Sequence, residues 1–482
     1  MSEPTTNYVD GEWRDSETGE TIEVRNPANP DEVVATYPRS DERDAAAAVD
    51  AAVAAEADWR DTPGPERGRI LREAGTILAG RKAEITETLV AEEGKARPEA
   101  AGEVQRAIDI FHYFAGKASD LAGTRKASSG RDTNLYIRRE PVGVAALVTP
   151  WNYPIAIPAW KLAPALVAGN TVVLKPASLA PGVAIELARA LDEAGLPDGV
   201  FNLVTGPGST VGDEFITSEG TDLVSFTGSS EVGEMVYEQA TDEGKRVQTE
   251  MGGKNPTLVA ESADPAEAAD IVASGGFGTT GQSCTACSRA VVHEAVHDEF
   301  VAELVDRAES IDVGPGLEHE MGPQVSEAEL SSTLEYIDVA SNEGATLAAG
   351  GGVPDGDAVE TGHFVQPTVF TDVEPDMRIA QEEVFGPVVG VIEVADFEEG
   401  LAVANDVEYG LSASVVTDDH AEANRFVDAI EAGVAKVNEK TTGLELHVPF
   451  GGFKRSSSET WREQGDAGLR FYTIEKTVYD GY

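Results

Sequence analysis

The chain has 482 residues, 41% of them hydrophobic, and carries 86 acidic against 36 basic side chains, a formal net charge of −50. That length exceeds one ordinary hydrophobic core, so two or three domains are expected, and the charge excludes nucleic acid as a partner because phosphates would be repelled. Only 12 residues are Lys against 24 Arg, and acids run the whole length; such repulsion is tolerable where salt screens it to roughly 3 Å at 1 M, which points to a halophilic-type protein.

At the start, MSEPTTNYVDGEW has no basic or apolar run, and the most apolar region, 142–174, is interrupted by Asn152, Lys161 and prolines. No membrane partner is expected, and the location should be cytoplasmic. Two cysteines are too few for a disulfide framework, which also suits a reducing compartment. Residues 41–58, DERDAAAAVDAAVAAEAD, alternate Ala and acids at helical spacing, and 66–92 carry a second apolar stripe, so helices come first. From 142 the pattern becomes short apolar runs between Gly and Pro: VGVAALV, a helix near 158–168, TVVLK, a helix over 182–193, GVFNLVTG and LVSFTG. This punctuation is that of a parallel, doubly wound α/β sheet. A second series follows, with PTLVA, a helix over 264–275, RAVVH and a helix near 297–309. NLYIRREP and RFYTIEKTVYD alternate and are partly polar, which suits edge strands that pair between subunits.

The only cysteines lie in GQSCTACSRA, as Cys284 and Cys287. A structural zinc site needs four ligands, and no second Cys pair or His cluster completes one. A redox pair normally opens a helix directly after a strand. The third reading, Cys284 as nucleophile with Cys287 as packing, needs companions. TPWNYP puts Asn152 at the carboxyl end of a parallel strand, where an amide can donate to an oxyanion. TEMGGKNP puts Glu250, a candidate general base, beside two glycines that allow close backbone approach. SFTGSSEVG puts Gly228 and Gly233 about a strand-to-helix turn whose N–H groups can face a pyrophosphate. His293-Glu-Ala-Val-His297 satisfies the H-E-x-x-H zinc pattern, but the apolar run before it reads as a strand ending at His293 with His297 opening the next helix, so the two should not share a metal. No metal site is expected.

TPWNYP, VLKPAS, FTGSSEVG, EMGGKNP, GQSC, EEVFGPV and VPFGG occur in the order, and nearly the spacing, of the aldehyde dehydrogenase superfamily, and from YVDGEW to FYTIEKTV the chain resembles it throughout. The resemblance implies a Rossmann-type coenzyme domain, an α/β catalytic domain and a β oligomerisation arm: coenzyme segments at 1–122 and 142–252, arm at 123–141, catalytic domain at 253–449, and a return segment with oligomerisation strand at 450–482. It implies oxidation of an aldehyde to a carboxylate with NAD(P), through a thiohemiacetal and thioester on Cys284, with Asn152 and the Cys284 N–H on the oxyanion and Glu250 activating water. It places Thr149, Pro150, Trp151, Gly228, Ser229 and Gly233 at the cofactor, Trp151 and Ser229 on the pyrophosphate. Lys175 is implied at the adenosine ribose, Glu383 at the nicotinamide ribose and Phe385 against the nicotinamide. Lys161 and Glu463 match positions tied to proton relay near Glu250, or form an ordinary surface or interdomain ion pair. A homo-oligomer, dimer or tetramer, is implied.

Two departures bear on specificity. Ser178 stands where NAD-selective relatives carry Glu, and would not repel a 2′-phosphate, so NADP should be preferred with NAD tolerated. Succinate semialdehyde enzymes hold their substrate carboxylate with arginines at positions that are Trp160 and Gly278 here. WNYPIAIPAWKLAPAL, GQSCTACSR and SSSETWREQGDAGLRFYT instead resemble the α-ketoglutaric semialdehyde (2,5-dioxopentanoate) dehydrogenases of pentose and sugar-acid breakdown, with Arg455 a candidate carboxylate anchor or a solvated loop residue. The alternatives are another semialdehyde or an aliphatic aldehyde as substrate, or, in another class, a cofactor-independent esterase or a non-catalytic binding protein.

Overall fold

The computed structural model describes residues 6–458 and 460–482. In the first of two seven-stranded sheets, Arg246–Glu250, Leu223–Thr227, Val144–Val148, Thr171–Lys175 and Phe201–Leu203 lie side by side in that order and run parallel. They are buried almost throughout, because helices such as Ala156–Ala168 and Gly182–Glu193 cover them; hence the apolar runs VAALV and TVVL in two of them. Strand order reverses at Val144–Val148. Beyond the carboxyl ends of this strand and of Leu223–Thr227 lies the crevice where doubly wound sheets take ligands.

Strands, not helices, come first. Asn7–Val9 and Glu12–Arg14 extend the first sheet antiparallel beyond Phe201–Leu203, and Thr21–Asn26 pairs with Asn29–Pro38 as a hairpin. The first two strands have three residues each, and the hairpin strands mix polar and apolar residues, so they lack a periodic apolar signal. Glu42–Asp61 follows, opened by a capping box between Asp41 and Asp44. The stripe over 66–92 is two helices, Gly64–Gly80 and Lys82–Glu93, interrupted at Arg81. Arg97–Lys117 packs on them through Val104, Phe111 and Phe114, each at most 1% exposed; burial of each Phe is worth about 1.5–3 kcal/mol.

The second sheet orders Thr346–Ala349, Thr368–Thr371, Val388–Val394, Cys287–His293, Asn255–Val259, Ser412–Val416 and Val434–Val437, all parallel except the first. Only residues 251–254 join Glu250, at the carboxyl end of the first sheet, to Asn255, at the amino end of the second. This short link sets the carboxyl edge of one sheet against the amino edge of the other. His293 ends its strand and His297 opens the helix His297–Ser310, as expected. Thr133–Pro141 pairs along its whole length with Thr473–Gly481 and also with Thr124–Lys126. The two strands expected to pair between subunits thus pair with each other; the outer edge of Thr473–Gly481 has no strand partner among the described residues.

Candidate active site

The cysteine loop sits at the seam between the sheets. It follows the helix Pro265–Gly276 and a short 3-10 turn in which Thr279 and Thr280 take positive φ of 53° and 55°, a conformation costly for β-branched residues. Gly281, at φ 68°, passes so close to the Gly386 carbonyl that a side chain would collide with it. Asn255 then clamps the loop: its Nδ2 donates to the carbonyls of Cys284 at 2.8 Å and Ala286 at 2.9 Å. Both glycines after Glu250 are needed for close approach. A Cβ on Gly252 would strike the Glu383 carboxylate, and one on Gly253 would lie 2.5 Å from the Cys284 carbonyl.

Asn152 lies one turn past the carboxyl end of Val144–Val148 and is 3% exposed. Its Nδ2 donates to the Gln282 carbonyl at 3.0 Å, which ties it to the cysteine loop and leaves a second N–H to meet an oxyanion. Burial pushes the Cys284 thiol up, and the carboxyls of Glu383, Glu250 and Glu463 push it further. Cys287 is 1% exposed, contacts the Thr257 hydroxyl at 3.2 Å, and begins a core strand; it packs rather than faces the site.

Glu250, 2% exposed, ends Arg246–Glu250. Its carboxylate accepts from Gly452 N at 3.1 Å and Ser457 Oγ at 3.4 Å. Burial, reinforced by the nearby Glu463 charge, holds it well above the usual carboxylate range. Lys161 and Glu463, 302 positions apart, form a buried ion pair at 1% and 3% side-chain exposure, and Lys161 Nζ also donates to Ser225 Oγ at 2.8 Å. The pair is neither surface nor solvated.

Around the crevice of the first sheet stand the residues expected at a cofactor. The hydroxyls of Thr149 and Thr227, at the ends of adjacent strands, are buried without a hydrogen-bond partner among the described residues. Ser229 stands at the N-cap position of the helix Ser230–Asp242 without a side-chain capping bond, and the amino end of this helix opens on the crevice beside Gly228. Orphaned hydroxyls and a helix amino terminus suit a pyrophosphate, so the crevice fits a dinucleotide. Gly233 acts differently from the expectation: its N–H is bonded to the Ser229 carbonyl inside the helix, and its lack of a side chain makes room for Met251. Lys175 ends its strand with Nζ donating to the Pro176 carbonyl at 2.8 Å, and burial pushes it down to about 8. Ser178 Oγ donates to the Gly206 carbonyl at 3.0 Å. Glu383 accepts from Gly253 N at 3.0 Å and is pushed up to about 7 by burial. Trp151 and Phe385 meet edge to face at 5.4 Å, Phe385 at φ 57°. Pro150 lies between Thr149 and Trp151 in this turn.

Cys284 opens onto a cavity of about 410 Å³ walled by Tyr153, Ile157, Trp160, Leu444 and Phe450, with Arg106 and Lys440 among its charged residues. Arg455 is not among its lining residues: it is exposed and paired with Glu234 at 2.6 Å and Glu408 at 3.3 Å, so the solvated reading holds. Sequence reasoning missed Asn255, although it sits in the quoted GGKNP, and Arg106, which carries no local motif.

A description of the aldehyde dehydrogenase family matches residues 13–478. The chain is 83% identical, over all of both sequences, to an alpha-ketoglutarate semialdehyde dehydrogenase of Haloferax volcanii. Among solved structures it superposes on betaine aldehyde dehydrogenase of Staphylococcus aureus in complex with NAD+ with a TM-score of 0.96, at 36% identity, covering 99% of this chain and 95% of that one. It superposes on a 3,6-anhydro-L-galactose dehydrogenase in complex with NADP with a TM-score of 0.95, at 36% identity, covering 99% and 100%. The chain belongs to the aldehyde dehydrogenase family.

Proposed function

We propose that this chain oxidises 2,5-dioxopentanoate, the semialdehyde of 2-oxoglutarate, to 2-oxoglutarate, with NADP preferred over NAD, in pentose or sugar-acid breakdown. Aldehydes are the family's substrates and NAD(P) its cofactor. The observation that carries the substrate is the whole-length likeness to the Haloferax relative, and the small, mostly apolar cavity beside Cys284 suits a five-carbon chain.

Each side chain then has a physical task. Cys284 Sγ attacks the aldehyde carbon, its thiol proton passing to solvent as the first of the two released, while the free Asn152 N–H and the Cys284 N–H receive the oxyanion. When bound, NAD(P)+ accepts the hydride that leaves the thiohemiacetal carbon, the residues about the crevice holding it in place. Glu250 takes a proton from the water that attacks the resulting thioester; a carboxyl held well above its usual range by burial is a stronger base than a solvated one. The carboxylate product leaves and Cys284 is restored. Aldehyde, water and NAD(P)+ become carboxylate, NAD(P)H and two protons.

The NADP preference rests on Ser178 and Lys175. Both hydrogen-bond to backbone carbonyls near the crevice, and Lys175 forms no ion pair with a described residue, so its charge is available to a 2′-phosphate. A homo-oligomer is supported by Ile474, Tyr479 and Tyr482, 51%, 74% and 79% exposed on or next to the open-edged strand Thr473–Gly481. The test is kcat/KM for a panel of semialdehydes with both cofactors in molar salt. 2,5-Dioxopentanoate with NADP should rank first; a higher value for succinate semialdehyde, or for NAD, would overturn the corresponding part.

A further inference from the structure

On the reading above, on which this inference rests, the substrate carries a carboxylate into a protein of net charge −50. The charged side chains lining the cavity beside Cys284 are Glu99, Glu103, Arg106 and Lys440. Glu103 is fully engaged: it pairs with Lys95 at 2.6 Å and accepts from Ile155 N and Ala156 N. Glu99 accepts from Thr279 N at 2.7 Å, a bond that engages its carboxylate with the backbone of the cysteine loop's leading turn. Lys440 is exposed and donates to Ser274 Oγ at 3.2 Å.

Arg106 differs from the many arginines that this chain pairs with acids, such as Arg307, Arg378 and Arg425. It is half-buried on Arg97–Lys117, and Glu445 and Asp109 lie near it, yet it forms no ion pair with a described residue. One guanidinium nitrogen donates to Gln464 Oε1 at 3.0 Å; Gln464 is 1% exposed, so that edge is fixed while the other donors stay available. Trp160 lines the same cavity, 8% exposed, and its Nε1 has no acceptor among the described residues. A buried donor left unpaired is costly unless a ligand accepts from it.

We propose that Arg106, assisted by the Trp160 indole N–H, binds the carboxylate end of an ω-semialdehyde whose aldehyde end lies at Cys284, making Arg106 the residue that selects acidic over neutral aldehydes. A guanidinium contact with a carboxylate is directional and short-ranged, so it persists at salt concentrations that screen longer-range attraction. The test is the ratio of kcat/KM for 2,5-dioxopentanoate to that for pentanal, a neutral aldehyde of equal chain length, in molar salt. R106L should lower that ratio roughly 10- to 100-fold, mainly through KM for the acid, as expected for loss of a charge-assisted hydrogen bond. R106K should restore part of it, and W160F should lower it by a smaller factor. A ratio unchanged in R106L and R106K would overturn the inference alone. A parent enzyme with no preference for the acid would overturn the substrate reading and this inference with it. Product protection reads the same contact without turnover: 2-oxoglutarate should slow iodoacetamide labelling of Cys284 in the parent at concentrations about tenfold below those R106L or R106K requires. Equal protection would overturn it.

Discussion

Glu463→Gln and Lys161→Met should move the acid limb of the kcat–pH profile in opposite directions. Glu250 must be ionised to take a proton from water, so the rate rises with pH through its effective pKa. Glu463 raises that pKa and Lys161 lowers it. Removing the negative charge should shift the limb toward acid, and removing the positive charge should shift it toward base. Stability should fall in both, because at 1% and 3% side-chain exposure each substitution leaves a buried charge without its partner, at a cost of about 3–5 kcal/mol. With an unfolding entropy of about 2.1 cal/mol/K per residue, a chain of 482 residues loses about 1 °C of Tm per kcal/mol, so each single variant should melt about 3–5 °C lower. The double variant, with no charge left unpaired, should recover most of this. The assays are a pH series of kcat and thermal melts in molar salt. Limbs that move together, or a double variant no more stable than either single one, would refute the reasoning.

Ser178→Glu should set a carboxylate against the 2′-phosphate and lower kcat/KM for NADP roughly 10- to 100-fold while sparing NAD; parallel losses would count against the assignment of this position. Because Lys175 sits at about 8, the affinity of the parent for NADP should weaken as pH climbs through that value and its charge is lost, and equilibrium titration should show a flatter trend for NAD. Asn255→Ala removes both bonds that clamp the cysteine loop and should cost about 2–4 kcal/mol, read as a lower Tm and faster iodoacetamide labelling of Cys284. The melting temperature should climb steeply between low and molar KCl, since screening relieves the repulsion behind a net charge of −50; a flat response would remove the case for salt adaptation.

The parallel strands were legible because burial on both faces writes them as apolar runs: VAALV, TVVLK and LVSFT emerge where expected. The hairpin of Thr21–Asn26 and Asn29–Pro38 was not, since its mixed polar and apolar residues form no such run. Motif order singled out Cys284, Glu250 and Asn152, which lie together at the seam between the sheets, and the Gly252–Gly253 pair allows close approach to Glu383 and the cysteine loop. Arg106 escaped notice because its meaning is tertiary: a helix position becomes a cavity wall only when Arg97–Lys117 packs beside Ala156–Ala168. Arg455, nearer in sequence to the distinctive C-terminal stretch, is drawn instead to Glu234 and Glu408. Gly233 shows the limit of motif reading, since helix packing and ligand contact ask for the same residue.

The central claim is an acyl enzyme on Cys284 released by Glu250. Glu250→Gln should form the thioester and fail to hydrolyse it, so peptide mass spectrometry after mixing this variant with 2,5-dioxopentanoate and NADP should find Cys284 carrying the substrate less two hydrogens, with reduced cofactor formed in matching amount. Reduced cofactor with Cys284 unmodified in the trapped variant would contradict the account.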